Sequence, residues 1–402
     1  MTGPKGIVAV LPFLVVLMLV SGSVVPQAAS TAPANAFYNP PPDIQDRHPG
    51  EIIRVEEMRS AFSSTRMWRM LYVSTNSADE SVAVSALLVA PVAPPPDGGY
   101  PLVAVGHGSV GIGQECAPSV DPYRPSGSGP SSYDLFVAPL VNAGYVVVMS
   151  DYQGLGAPGP SSYLLGELEG RNILDSARAA FAFPGITLQP ELLIWGQSQG
   201  GHAALFAGQL APTYAPELSV LGVVAEAPAA NLEAMFTHLI ETNARGGIVS
   251  MPLMTVAAWA QEYPEIHIDA LLTARGKDIL HNVVEDACLV PAFLVTLFDR
   301  PSSLIRPRAL DRISTIVEAN TPQTGPYAMP ILIVQGEADD AVPVETTRSF
   351  VDGMCRAGTN VMYRAYDGIG HIEVIDAAHA DVLLWMEQVR NKTIPIIPDY
   401  SC

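Results

Sequence analysis

The chain of 402 residues carries 21 Lys and Arg against 40 Asp and Glu, a formal net charge of −19, with 49% hydrophobic and only 15% charged residues. That much apolar surface can offset the entropy of ordering a chain, which excludes a disordered protein. The acidic balance excludes nucleic acid as a partner and a polybasic contact with membrane, because both need a positive footprint.

The first segment reads as an export signal. Lys5 precedes an apolar run over residues 7–20, Ser21-Gly22-Ser23 follow, and Ala34-Asn35-Ala36 offers an A-x-A cleavage site, with Ala28-Ala29-Ser30 as the alternative. The run is too short for a stable membrane anchor, and no later stretch reads as a transmembrane span. Residues 1–36 are therefore expected to be a signal peptide and residues 37–402 an exported domain, extracellular or held at the cell envelope. Export gives meaning to Cys116, Cys288, Cys355 and Cys402. An even set in an oxidising compartment predicts two disulfides, with three pairings open, and the wide spacing argues against a zinc knuckle.

Residues 37–50, with Asn39-Pro40-Pro41-Pro42, read as surface chain. Beyond them, short β-branched runs alternate with helical stretches. Strands are predicted over 67–75 and 81–90, joined by the turn Asn76-Ser77-Ala78-Asp79, then over 102–105, 145–149, 192–195, 220–225, 331–334 and 361–366. Helices are predicted over 134–143, 175–183 and 373–390. The order fits an α/β fold with one mostly parallel sheet flanked by helices. Residues 230–325 break the rhythm. They are helical in pattern and much longer than an ordinary connection, which predicts an inserted helical lid or cap within the domain.

Gly196-Gln197-Ser198-Gln199-Gly200 is a G-x-S-x-G between a predicted strand and a predicted helix from Gly201. That context marks a nucleophile elbow, in which glycines allow the sharp turn and the helix N-terminus favours negative charge at Ser198. A serine nucleophile needs a general base, and in this fold class the chain order is Ser, acid, His. Among eight histidines, His371 lies in a glycine-bearing loop after the last predicted strand. His202 reads as packing beside the elbow, and His379, His238, His267 and His281 as surface or local structure. Four acids compete after strand 331–334: Glu337, Asp339, Asp340 and Asp367. The G-x-x-D-x-x-V-P pattern from Gly336 to Pro343 singles out Asp339. For the oxyanion, the donors expected are the backbone N–H groups of Gln199 and of Ser109, in the His107-Gly108-Ser109 turn after strand 102–105, with Gly108 as the alternative.

These residues, taken with others, resemble the secretory lipase family, which includes the yeast lipase A type and exported actinobacterial esterases. The resemblance runs from about residue 45 to the C-terminus. It rests on His107-Gly108-Ser109, Cys116-Ala117-Pro118-Ser119, Ser150-Asp151-Tyr152-Gln153-Gly154-Leu155-Gly156, the run Glu169-Gly170-Arg171-Asn172-Ile173-Leu174-Asp175-Ser176-Ala177-Arg178-Ala179, the serine elbow, and Ala211-Pro212-Thr213-Tyr214-Ala215-Pro216-Glu217-Leu218. It implies an α/β-hydrolase with a helical lid, a Ser198–Asp339–His371 triad, and disulfides Cys116–Cys288 and Cys355–Cys402. The chain departs from the lipase A type at His107-Gly108-Ser109, where that type carries an acidic residue. The function expected is a secreted carboxylic ester hydrolase, a triacylglycerol lipase or esterase, with no cofactor and no metal. Its partner would be a lipid or other ester, met at a lipid–water interface through the apolar, Met-bearing insert. A transacylase or peptidase on the same triad is the first alternative, and a non-catalytic exported binding protein of the same fold is the second.

Overall fold

The computed structural model describes residues 36–125, 130–393 and 400–402. Apart from Ala36, the expected signal peptide lies outside the described residues. No described helix is long and apolar enough to cross a membrane.

The described residues build a mixed sheet from β1 (Ile52–Met58), β2 (Thr65–Thr75), β3 (Ser81–Pro91), β4 (Tyr100–Gly106), β5 (Val146–Ser150), β6 (Leu188–Gln197), β7 (Ser219–Glu226), β8 (Ile331–Gly336), β9 (Val361–Tyr366) and β10 (Tyr400–Ser401). Their order is β1-β2-β3-β5-β4-β6-β7-β8-β9-β10. The strands from β5 to β9 in that order run parallel, while β1, β2 and β3 form an antiparallel meander on one edge and β10 lies antiparallel on the other.

The central strands are apolar on both faces because helices cover both. Leu102, Ala104, Leu192 and Ile194 face the layer of helices Gly166–Phe181, Gln199–Tyr214 and Val344–Arg356. Val103, Val105, Leu193 and Trp195 face the layer of Ala138–Asn142 and Glu373–Arg390. The chain steps from β4 to β5 in one direction and then crosses back to β6, so the loops after β4 and β6 leave neighbouring strands together. A reversal of this kind opens a crevice at the carboxyl ends of the strands.

Several elements differ from the sequence expectation. β1 carries Arg54, Glu56 and Glu57 and has no buried residue, so no apolar run announces it. It is held as an edge strand by its ladder and by the pairs Arg66–Glu57 and Arg69–Glu56. Helix Gly166–Phe181 starts nine residues before the expected 175, because Glu169 and Asn172 are buried polar residues that interrupt the apolar period. Helix Val344–Arg356 was not expected at all. Its buried stripe of Val344, Phe350, Val351 and Met354 is diluted by threonines.

Between β7 and β8 the chain is helical, with Leu232–Thr242, Ser250–Glu262, Ala274–Asn282 and Leu289–Thr296 as its longest helices. These pack around Trp259, Leu253, Met254, Leu272 and Leu280, and Leu164, Leu165 and Leu168 from the sheet-bearing part join that cluster.

Two disulfides tie the chain. Cys116–Cys288 joins the loop after β4 to the N-cap of helix Leu289–Thr296, and Cys355–Cys402 joins helix Val344–Arg356 to the residue that follows β10. The first closes a loop of 172 residues in sequence separation and the second one of 47. Chain entropy alone assigns them about 5 and about 4 kcal/mol, with native disulfides typically measured at about 2–5. Removing the first pair as Cys116→Ser with Cys288→Ser is therefore expected to cost about 2–5 kcal/mol in urea unfolding, and non-reducing peptide mapping should recover Cys116 with Cys288. Recovery of Cys116 with Cys355 or Cys402 would contradict the pairing.

Candidate active site

The strand-to-helix turn at Ser198 is set by close backbone approaches. Ser198 has φ 57° and ψ −118°, a conformation costly for a residue with a side chain. A methyl group on Gly196 would lie 2.0 Å from the Gly200 carbonyl oxygen, and one on Gly200 would lie 1.9 Å from the Gly106 carbonyl oxygen. Both positions exclude any side chain, so the G-x-S-x-G spacing is a packing requirement. The turn is held by backbone bonds as well. Ser198 N–H donates to the Glu226 carbonyl at 2.9 Å, and the Ser198 carbonyl accepts from His202 N–H at 3.1 Å and Ala229 N–H at 3.2 Å.

The structure brings the three expected residues together from the ends of β6, β8 and β9. Ser198 Oγ lies 2.9 Å from His371 Nε2, and His371 Nδ1 lies 2.7 Å from Asp339 Oδ2. The Asp339 side chain is fully buried and the His371 side chain nearly so. Asp339 accepts three further bonds: from Gln335 Nε2 at 2.7 Å on Oδ2, and from the Ala341 and Val342 N–H groups at 2.9 and 2.7 Å on Oδ1. With its lone pairs filled in this way the carboxylate is fixed as an acceptor, and a neutral His371 then carries its proton on Nδ1 and offers Nε2 as an acceptor to the serine hydroxyl. The competing acids stand apart: Asp340 and Asp367 are exposed, and Glu337 pairs with Arg348.

Gln199 is the first residue of helix Gln199–Tyr214, where a backbone N–H has no intrahelical acceptor. Its side chain turns away from Ser198, with Nε2 donating to Glu169 Oε1 at 2.6 Å. Ser109 and Gly108 line the same cavity as Ser198, and Ser109 Oγ bonds Tyr163 Oη at 2.9 Å. His107, read from sequence as part of a turn, is fully buried, its ring between the Gly108 and Asp151 carbonyls at 2.7 and 3.3 Å. Burial pushes it down to about 4, against the pull of those two carbonyls.

Sequence reasoning missed four buried groups around this site. Asp151, at the end of β5, is pushed up to about 6 by burial, with the Ser119 and Ser85 hydroxyls and the Ser119 N–H pulling against it. Glu169 is pushed up by burial and opposed by His202 and Gln199. Glu226 is pushed well up by burial, the nearby Trp195 indole offsetting part of this, and its carboxyl oxygens have no hydrogen-bond partner among the described residues. Gln197 packs beside His371. Their residue types all read as surface in a single sequence. His202 does more than pack: its Nδ1 faces Glu169 Oε2 at 3.4 Å, and its Nε2 donates at 2.7 Å to the carbonyl of Asn320, at the end of the long helical segment.

Ser198 and His371 open into a cavity of about 940 Å³. One wall is apolar and comes from the helical segment, with Ile248, Met251, Leu289, Val290, Phe293 and Leu297. The exposed Asp340, Glu373 and Asp376 also line the cavity, at its rim. Leu294 and Leu297, which line the cavity, and Phe298 next to them in the chain are 64%, 44% and 80% exposed, an unusual concentration of large apolar side chains in water.

The raised Asp151 gives a pH test. A carboxyl raised in the folded state contributes stability that is complete below about pH 4 and is lost as pH rises through about 6. The stability of Asp151→Asn relative to wild type should therefore move in the variant's favour by about 3 kcal/mol at most between pH 4 and 7, measured by urea unfolding. A difference that does not change with pH would contradict this assignment.

The sequence profile of the secretory lipase family matches residues 131–394. Among relatives, the secreted triacylglycerol lipase LIP4 of Malassezia globosa is 27% identical, over 81% of this chain and 73% of its own. A probable inactive lipase of Mycobacterium tuberculosis is 24% identical, over 87% of this chain and 80% of its own. The structure of Candida antarctica lipase A in its closed state superposes with a TM-score of 0.76 at 23% identity, covering 90% of this chain and 87% of that one, a likeness of fold. Since the family profile spans well over half of the sequence, this chain belongs to the secretory lipase family.

Proposed function

We propose that this chain is an exported carboxylic ester hydrolase that cleaves lipid esters, triacylglycerols foremost, through an acyl-enzyme on Ser198. The observation that carries the reading is the continuous relay from Ser198 Oγ to His371 at 2.9 Å and on to Asp339 at 2.7 Å. Ser198 Oγ attacks the ester carbonyl carbon as its proton passes to His371 Nε2, giving a tetrahedral oxyanion held by the N–H groups of Gln199 and Ser109. Collapse breaks the carbon–oxygen bond, and His371 returns the proton to the leaving alkoxide. Water, deprotonated by His371, then attacks the acyl-enzyme, releases the carboxylic acid and restores Ser198. Asp339 holds the ring and stabilises the imidazolium. No step calls on a metal or cofactor.

The apolar wall of the cavity suits an acyl chain, and the exposed Leu294, Leu297 and Phe298 suit a lipid–water interface. The two disulfides and the secreted relative support an extracellular location. A non-catalytic role on the same fold is the second reading, favoured by the probable inactive relative. The intact relay speaks against it.

Two measurements test this reading. Hydrolysis of p-nitrophenyl esters should fall about 10⁴- to 10⁶-fold in Ser198→Ala and about 10⁴-fold in Asp339→Asn, with folding intact. Equal turnover by wild type and Ser198→Ala would end the enzymatic reading. For the interface, Phe298→Asp should lower activity on emulsified triacylglycerol severalfold and leave a soluble short-chain ester unaffected. Equal losses on both substrates would remove that surface from the account.

A further inference from the structure

The hydrolytic scheme leaves the side chain of Gln197 without a role, yet this residue is one of the most constrained at the site. It ends β6, is buried, and lines the cavity beside Ser198 and His371. Its Nε2 donates to the backbone carbonyl of His371 at 3.1 Å and lies 3.3 Å from the ring Nε2 of the same residue. Its Oε1 packs against the turn after β4: a methyl group on Gly108 would come within 2.8 Å of it. The carbonyl acceptor fixes which end of the amide faces His371, since only the NH₂ end can donate there. One amide thus touches the histidine loop on one side and the His107-Gly108-Ser109 turn on the other.

We propose that Gln197 is a positioning residue for His371, tethering the histidine loop to the turn after β4 and packing against the ring at Nε2. The proposal rests on the reading of Ser198 and His371 as nucleophile and base. With Nδ1–H committed to Asp339, the Nε2 lone pair is the free end of the ring. The serine hydroxyl at 2.9 Å takes that single lone pair, so the Gln197 amide at 3.3 Å is a packing contact on the ring, and its hydrogen bond is the one to the His371 carbonyl. A neutral amide does this without adding charge. The other charged groups around the ring are Asp339 against Nδ1, and Asp340, Glu373 and Asp376 on the rim of the cavity, with Glu373 packed over Gly370. A glutamate at position 197 would add a carboxylate directly at Nε2, where it favours the imidazolium.

The test compares Gln197→Glu and Gln197→Met with wild type on one soluble p-nitrophenyl ester. Gln197→Glu keeps the shape and should move the acidic limb of the kcat/KM pH profile upward by about one unit or more. Gln197→Met keeps the length, removes the tether, and should lower kcat about tenfold or more with KM little changed. A residue that only fills space would lower thermal stability in Gln197→Met and leave its kcat intact, whereas the limb in Gln197→Glu reads whether the 197 side chain stands against Nε2 in the working enzyme. An unmoved limb in a folded, active Gln197→Glu, or wild-type kcat in Gln197→Met, overturns the proposal. If Gln197→Glu does not fold, the kcat of Gln197→Met decides alone. Absence of hydrolysis by the wild type would instead overturn the hydrolase reading, and this proposal with it.

Discussion

The backbone of Ser198 is the constraint on which the rest depends. A residue with a Cβ held at φ 57° and ψ −118° costs of order 1–3 kcal/mol and persists only where its surroundings over-determine it. Here three chain segments do so. The end of β7 accepts the Ser198 N–H, the residues after β7 and the first turn of the helix bind its carbonyl, and Gly106, Gly196 and Gly200 let β4, β6 and the helix approach closely. The strain therefore rests on the sheet and its two helical layers, and it aims Ser198 Oγ at a ring supplied by another strand end, beside a helix N-terminus. The same close approach brings the turn after β4 against Gln197, which in turn reaches His371. The serine, the histidine and the proposed oxyanion donors are thus parts of one packed unit.

The two halves of the cavity are chemically unlike. Its floor is polar and built from strand ends, while its wall is apolar and built from the long segment between β7 and β8. That segment is anchored at two places. Cys116–Cys288 fastens it to the loop after β4, and Asn320 fastens its far end, accepting from His202 through its carbonyl, accepting from Gly166 N–H and donating to Tyr263 through its side chain. His202 and Gln199 both reach Glu169, so the carboxyl behind the elbow also borders the joint of the helical segment. Buried polar networks of this kind hold one arrangement when fully satisfied. Part of the acidic excess reaches the cavity, at the exposed Asp340, Glu373 and Asp376.

The parts of the fold and of the candidate site that were legible in the sequence are those in which local pattern and tertiary role coincide. β4, β5, β6 and β8 are buried on both faces and so read as unbroken apolar runs. The elbow carries its glycines within five residues, and chain order then points to Asp339 and His371. What stayed hidden depends on contacts remote in sequence. β1 is polar and needs its partner β2, and helix Gly166–Phe181 begins with buried acids and amides that meet the elbow and the helical segment only in the folded chain. Asp151, Glu169, Glu226 and Gln197 are of residue types that a single sequence places on the surface, and their burial follows from three-dimensional neighbours alone.

On the proposed function, the geometry at Ser198 makes this one hydroxyl a nucleophile. The most direct measurement is covalent labelling of the native protein with a fluorophosphonate, followed by mass-spectrometric location of the adduct. One adduct per chain is expected on Ser198, lost in Ser198→Ala and strongly slowed in His371→Ala. No labelling of the wild type, or equal labelling of Ser198→Ala, would contradict it.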